Sequence, residues 1–217
     1  MTASHAYSIA ERDAVYRVIR ERRDMRHFVA GEVPEELLQR LLHAAHDGPS
    51  VGLMQPWRFI RIRKPQLREQ IHQLVEEERQ VTAAALGERA DEFMRLKVQG
   101  VLECAELLVA ALPDGREAHV FGRRTLPEMD LASLACAIQN LWLAARAEGL
   151  GMGWVSLFDP QALAALLKLP EGAKPVAVLC LGPVAEFYSQ PMLVQEQWAK
   201  ERPLSDLLYV DHWGAQE

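Results

Sequence analysis

The chain has 217 residues, 49% of them apolar and 25% charged, with a formal net charge of −6. That length and apolar share suit one large domain with a substantial core, and the acidity argues against a nucleic-acid binder, which would show a basic face. No run of about 18 apolar residues occurs and residues 1–12 lack an apolar leader core, so neither a membrane span nor a signal peptide is expected, and the cytoplasm is the default location.

In chain order, Ser8-x-x-Glu11 is a capping-box pattern that opens a helix. Val15, Val18, Ile19 and Arg22 follow at helical spacing, so this helix delivers Arg22-Arg23-Asp24-Met25-Arg26 at its C-terminal end. Residues 28–33 form a connector. Pro34, Glu35 and Glu36 suit the start of a second helix, with Leu37, Leu38, Leu41, Leu42 and Ala45 as its stripe and Gly48 and Pro49 as its end. Residues 50–56 form a loop, and residues 57–63 alternate apolar and charged side chains as a half-buried strand does. Residues 64–100 form interrupted helix with a weak apolar face. A solvated helix pair or a lid over a site would both give that pattern, and the solvated pair is the simpler reading.

A second strand over residues 107–112 ends in the turn Pro113-Asp114-Gly115. Asp130 is expected to cap a long helix over residues 131–148 that is apolar nearly all round, which implies burial at the centre of the fold or in a subunit interface. Gly149 and Gly151 end it. A third strand over residues 154–158 would put Trp154, Ser156 and Phe158 on one face and Val155 and Leu157 on the other. Asp159-Pro160 starts a helix through Leu167, and residues 174–181 make a fourth strand. The tail from Ala185 carries scattered aromatics without a period. No repeat, linker or low-complexity stretch divides residues 1–217, so a single domain is expected.

Cys104, Cys136 and Cys180 form no CxxC pair and sit in apolar stretches, which suggests reduced core thiols. His43 and His46 have no cysteine or carboxylate partner nearby, and no metal site is expected. There is no GxGxxG after a strand, no phosphate loop and no GxSxG elbow. Gly149-x-Gly151-x-Gly153 leads into a strand and fits a helix terminator followed by a close backbone approach. Three signals remain. The arginine run is either a solvated face or an anion site built from guanidinium forks, and the chemistry leaves these even. The loop from Pro49 to Trp57 holds Ser50 and Gln55, which could hydrogen-bond a heterocycle or a ribityl chain, or is an ordinary loop. The hydroxyl of Ser156 is a satisfied local donor or a site group.

In this order and spacing, three motifs resemble the nitroreductase-like flavoproteins, and more closely their 5,6-dimethylbenzimidazole synthase branch. They are Arg22-Arg23-Asp24-Met25-Arg26-His27-Phe28, Ser50-Val51-Gly52-Leu53-Met54-Gln55-Pro56-Trp57, and Gly151-Met152-Gly153-Trp154-Val155-Ser156-Leu157-Phe158-Asp159-Pro160. Asp24 and Leu53 stand where general nitroreductases commonly carry Ser and Asn, and the synthase branch resembles this chain at both places. The resemblance implies an α+β, nitroreductase-like fold, with a central, mostly antiparallel sheet flanked by helices, and a homodimer that holds FMN at its interface. It also implies a reaction in which reduced FMN, both bound flavin and substrate, is fragmented with O2. The products would be 5,6-dimethylbenzimidazole, the lower ligand of cobalamin (vitamin B12), and erythrose 4-phosphate, with NAD(P)H feeding a separate flavin reductase.

Carried over by position, Arg22, Arg23 and Arg26 would hold the phosphate and ribityl region, with Met25 in the same FMN-binding run. Ser50 and Gln55 would contact the flavin, Ser156 and Leu157 would lie beside its ring system, and Arg202 would add a phosphate contact. Asp24 and Ser156 would be the catalytic pair. Asp24 would work as acid–base or hold the ribityl hydroxyls, Ser156 would hydrogen-bond the flavin edge, and the lid would lie around residues 76–100. The competing readings are an NAD(P)H-dependent FMN nitroreductase or quinone reductase, and a non-catalytic flavin-binding protein.

Overall fold

The computed structural model describes residues 5–214. A body that ends at Phe187 and a C-terminal segment from Tyr188 form separate compact units. The body is built on four strands: β1 Arg58–Arg61, β2 Glu106–Leu112, β3 Gly151–Val155 and β4 Lys174–Gly182. Their order is β1-β2-β4-β3 and every neighbouring pair is antiparallel.

Strands β2 and β4 are apolar on both faces because both faces are covered. On one face Leu108, Ala110, Leu112, Ala177, Leu179 and Leu181 pack with α2 (Glu35–His46) and α5 (Met129–Ala147). On the other, Leu107, Val109, Val178 and Cys180 pack with Ile71 and Val75 of α3 (Pro65–Ala85) and Leu163 of α6 (Pro160–Leu166). The result is a helix–sheet–helix α+β body with two hydrophobic cores, one on each side of the sheet.

The first helix, α1 (Ile9–Glu21), opens with the expected capping box: Ser8 Oγ accepts the Glu11 N–H, and the Glu11 carboxylate accepts the Ser8 N–H at 2.9 Å. None of its residues is buried, and Val15, Tyr16 and Ile19 are all exposed. Residues 64–100 form α3, a break at Gly87 with φ +58°, and α4 (Ala90–Arg95). Their sparse apolar positions are well enough spaced to anchor them, for Ile71, Val75, Ala83, Phe93 and Leu96 are buried.

Helix α5 starts before the expected point. Asp130 is not its cap but a buried first-turn residue, held by Arg116 Nε at 2.8 Å and Arg123 Nη2 at 3.0 Å. The helix ends in a left-handed Gly149, with Gly149 N–H on Arg146 O and Leu150 N–H on Ala145 O, the paired bonds of a Schellman motif. Its inner face is core, while Leu131, Ala132 and Cys136 are exposed. Cys136 is therefore not the core thiol that its apolar neighbourhood suggested; Cys104 and Cys180 are buried.

Strand β3 also differs from expectation. It begins at Gly151 and ends at Val155, so Ser156 lies just beyond it. Alternation stops there, and Phe158 packs on the same side as Val155 and Leu157, away from Trp154. Asp159 caps α6, its Oδ1 accepting the Ala162 N–H at 2.7 Å. The C-terminal segment holds a short helix, α7 (Met192–Gln195), and a 3-10 turn at Leu204–Asp206. Among the described residues, no helix is long and apolar enough to cross a membrane.

Candidate functional site

The arginine run leaves α1 at Arg22, whose N–H still bonds Val18 O at 3.0 Å. It then lies beside β3. Asp24 and Met152 form a parallel bridge, and Met25 N–H donates to Met152 O at 2.9 Å. The Asp24 side chain continues the ladder, Oδ1 accepting the Trp154 N–H at 3.0 Å. Arg26 Nη2 closes the seam by donating to Asp24 Oδ2 at 2.6 Å and to Trp154 O at 2.8 Å.

The glycines of β3 exist for this approach. A Cβ on Gly153 would stand 2.3 Å from Met25 O and 2.8 Å from Arg26 Nη1. One on Gly151 would meet Val184 Cγ1 at 2.4 Å. Main chain cannot move aside as a flexible side chain does, so the Gly153 position requires glycine.

Three guanidiniums in five residues should repel, and the fold separates their duties. Arg23 Nη1 turns back onto the last carbonyls of α1, bonding Arg20 O at 2.7 Å and Arg22 O at 2.8 Å. Arg26 is buried against Asp24 and the Trp154 carbonyl. Arg22 is half-buried, its guanidinium carbon 4.6 Å from the centre of the Trp142 ring. Burial weakens its hold on its proton, with the charge of Asp24 opposing. Met25 is a core side chain, 1% exposed, so only its main chain faces the seam.

The Asp24 carboxyl is 42% exposed at its rim but recessed among protein atoms. Desolvation raises its pKa above the ordinary value, with Arg26, the Trp154 N–H and Arg22 pulling the other way. A recessed carboxyl whose pKa lies above the ordinary value, held by two donors, is placed to exchange protons with a bound molecule. Ser156, exposed, and Leu157, half-buried, follow directly where β3 ends, two and three residues past the Trp154 amide that Asp24 holds.

The loop from Ser50 is a 3-10 turn, Val51–Leu53, with Gly52 at φ +51°, Leu53 at +54° and Gln55 at +47°. Two non-glycine residues in left-handed backbone within one loop need bracing from outside. Part of the brace is local: Ser50 Oγ accepts the Gln55 N–H at 3.1 Å. Part comes from α5, where Ser133 Oγ accepts the Val51 N–H at 3.0 Å and donates to Met129 O at 2.5 Å. Trp57 Nε1 donates to His46 Nδ1 at 3.2 Å, fixing the far end of the loop.

Asp24, Arg26, Arg22 and the strand leading to Ser156 and Leu157 thus form one cluster. Ser50 and Gln55 belong to a second, attached near the start of α5 through Ser133. The first cluster touches the same helix at Trp142, whose Nε1 donates to Arg23 O at 3.2 Å; the rise of a helix puts these two attachments about 14 Å apart. Arg202 lies in the C-terminal segment, exposed. Sequence reasoning passed over Ser133, Trp142, Arg116 and Arg123. A hydroxyl and an indole N–H inside an otherwise apolar helix were the available signals, since each needs a partner when buried.

The model of the nitroreductase family matches residues 19–183. The chain is 40% identical over 198 residues to the 5,6-dimethylbenzimidazole synthase of Rhodospirillum rubrum, covering 88% of this chain and 92% of that protein. Among solved structures, a BluB-like flavoprotein from Clostridium difficile 630 superposes with a TM-score of 0.69 at 18% identity, over 94% of this chain and all (100%) of that one. Oxidized iodotyrosine deiodinase bound to FMN and 3-iodo-L-tyrosine superposes with a TM-score of 0.66 at 23% identity, over 81% of this chain and 92% of that one. The chain belongs to the nitroreductase family, within the branch of the 5,6-dimethylbenzimidazole synthases.

Proposed function

We propose that this protein is a 5,6-dimethylbenzimidazole synthase, which uses O2 to fragment reduced FMN into 5,6-dimethylbenzimidazole and erythrose 4-phosphate. Likeness to the synthase of Rhodospirillum rubrum over nearly the whole of both chains supports the reading. Within the molecule, the observation that carries it is the Asp24 carboxyl, gripped by Arg26 and the Trp154 amide, raised in pKa and set beside the strand that ends just before Ser156.

The donor set fits FMN. A phosphate dianion calls for guanidinium forks, and Arg22 and Arg23 stand half-buried at the end of α1. Reduced FMN supplies the electrons that activate O2 and the carbon framework that is cleaved. Arg22 and Arg23 would hold the phosphate and ribityl region, Arg26 would act through its grip on Asp24, and Met25 would contribute main chain. Ser50 and Gln55 bind the ring system from their loop, and Leu157 packs beside it. Asp24 accepts and returns protons at the ribityl hydroxyls. Ser156 donates a hydrogen bond to the ring edge and fixes its orientation. The segment of residues 76–100 would cover the site and keep water out.

The working unit is a homodimer. Support comes from α1, which buries none of its own residues, and from the exposed Leu131, Ala132 and Cys136 of α5, apolar surface that a partner would cover. Electrons reach FMN from NAD(P)H through a separate flavin reductase, in the cytoplasm.

The test is an aerobic incubation with FMN, NADPH and an independent flavin reductase, with mass detection of 5,6-dimethylbenzimidazole. Product that requires both this protein and O2 upholds the reading. An intact FMN pool, with nitro or quinone acceptors reduced directly from NADPH, replaces it with a reductase.

A further inference from the structure

Two loops interlock beside Ser50 and Gln55. A Cβ added to Gly52 would stand 2.6 Å from His119 Nε2 and 3.0 Å from both Phe121 Cδ1 and Phe121 O. In return, a Cβ on Gly122, at φ +78°, would stand 2.5 Å from Val51 Cγ2. Each loop presses its bulk where the other has glycine.

The loop that carries His119 is stiffly held. Arg123, itself buried, donates to His119 O at 3.3 Å, to Pro127 O at 3.2 Å and to Asp130 Oδ2 at 3.0 Å. Asp130 lies in the first turn of α5, one turn before Ser133, which takes the Val51 N–H. Both loops are therefore fixed to the same few residues of one helix. His119 Nε2 is buried there without a hydrogen-bond partner.

We propose that His119 is a positioning residue for the flavin loop: its ring wedges against Gly52, keeps Gly52, Leu53 and Gln55 in their left-handed conformations and so sets where Ser50 and Gln55 meet the flavin. The proposal rests on the reading that this loop contacts FMN. His119 touches the loop and not the reacting atoms, so its loss should misplace contacts rather than remove a catalytic group.

The experiment compares wild type, His119→Ala, His119→Gln, Gly52→Ala and the Gly52→Ala/His119→Ala double variant. It measures FMN affinity by fluorescence quenching, benzimidazole formed per FMN consumed, and Tm. His119→Ala should weaken FMN binding and lower the product yield, each about tenfold, with little change in Tm. His119→Gln, which keeps a flat polar group of similar reach, should restore most of both. Gly52→Ala should cost less Tm in the His119→Ala background than alone, because one clashing atom is gone. Wild-type affinity and yield in His119→Ala, or strictly additive Tm losses, would overturn the proposal. If the wild type binds FMN without making benzimidazole, the synthase reading falls, and the affinity shift alone decides whether His119 positions the loop. A wild-type protein that binds no FMN removes both.

Discussion

The arginine run and the loop from Ser50 are both irregular segments, but they hold their shape by different means. The run borrows a strand: Met25 and Asp24 bond to Met152 and Trp154 as a neighbouring strand would, and Arg26 ties the edge. The loop borrows shape, with glycine meeting bulk at Gly52 and Gly122 and one hydroxyl, Ser133, as its main tie to α5. A hydrogen-bonded seam fixes direction as well as position, which suits the proton transfer proposed for Asp24. A shape-fitted loop tolerates small adjustments, which suits the flavin-ring contacts proposed for Ser50 and Gln55. If that contrast is right, damage to the seam should be severe and concerted, and damage to the loop graded.

The strongest break is Gly153→Ala. Its Cβ would collide with the main-chain oxygen of Met25, which is fixed by the bond from Met25 to Met152. Overpacking against immovable backbone should cost about 3 kcal/mol, lowering Tm by roughly 6–12 °C in a chain of this size. Activity should vanish with it, because Asp24 and Trp154 would part. A Tm within about 2 °C of wild type would mean that the run does not lie against β3.

Asp24→Ala comes next. It strands the Trp154 N–H and takes the carboxylate from buried Arg26, so it should lower Tm, and it should reduce benzimidazole formation by about 10²- to 10⁴-fold, the usual reach of one proton-transfer group. The raised pKa sharpens this. In the wild type, the acidic limb of the pH–rate profile should lie above the ordinary carboxylate value of 3.8, and Asp24→Asn should erase it. The same shift acts on stability. An acid that holds its proton more tightly when folded contributes fully below 3.8, and that contribution fades as pH rises through the higher folded value. The fade should be absent in Asp24→Asn. An unchanged profile in that variant would move the proton transfer to another group.

The seam and the loop also differ in how far the sequence announces them. Ser8 and Glu11 announce α1, and the spacing of Val15, Val18 and Ile19 carries the arginines to its end, so the cluster is foreseeable. The run of apolar residues in β2, and α5 with Gly149 after it, are equally plain. What local pattern misses is set by distant partners. Strand β3 starts at Gly151 rather than Trp154 because its glycines answer to Met25 and Val184, more than a hundred and about thirty positions away in the chain. Asp130 resembles a cap but is claimed by Arg116 and Arg123. Nothing near Val51 in the chain announces Ser133 or His119, because both contacts cross between elements.

Ser156→Ala should have an intermediate effect. The residue is exposed beyond β3, so its loss should change stability by no more than about 0.5 kcal/mol. If its hydroxyl orients the flavin edge, product yield should fall by roughly 10- to 100-fold while bound FMN persists. Full yield would remove it from the catalytic pair and leave Asp24 alone.

The smallest effect should come from Ser133→Ala. Its side chain is 4% exposed, and the hydroxyl bridges Val51 N–H to Met129 O. Removing it strands a part-buried N–H, which should cost about 1–2 kcal/mol, while the clasp of Gly52 and Gly122 stays whole. The loop should then keep its path with more play, and FMN affinity should drop only about threefold, against about tenfold for His119→Ala. The ranking of these two variants is the decisive quantity. If shape holds the loop, losing the wedge hurts binding more than losing the hydrogen bond; if Ser133→Ala proves the worse, the loop is tethered like the seam and the contrast between the two regions fails.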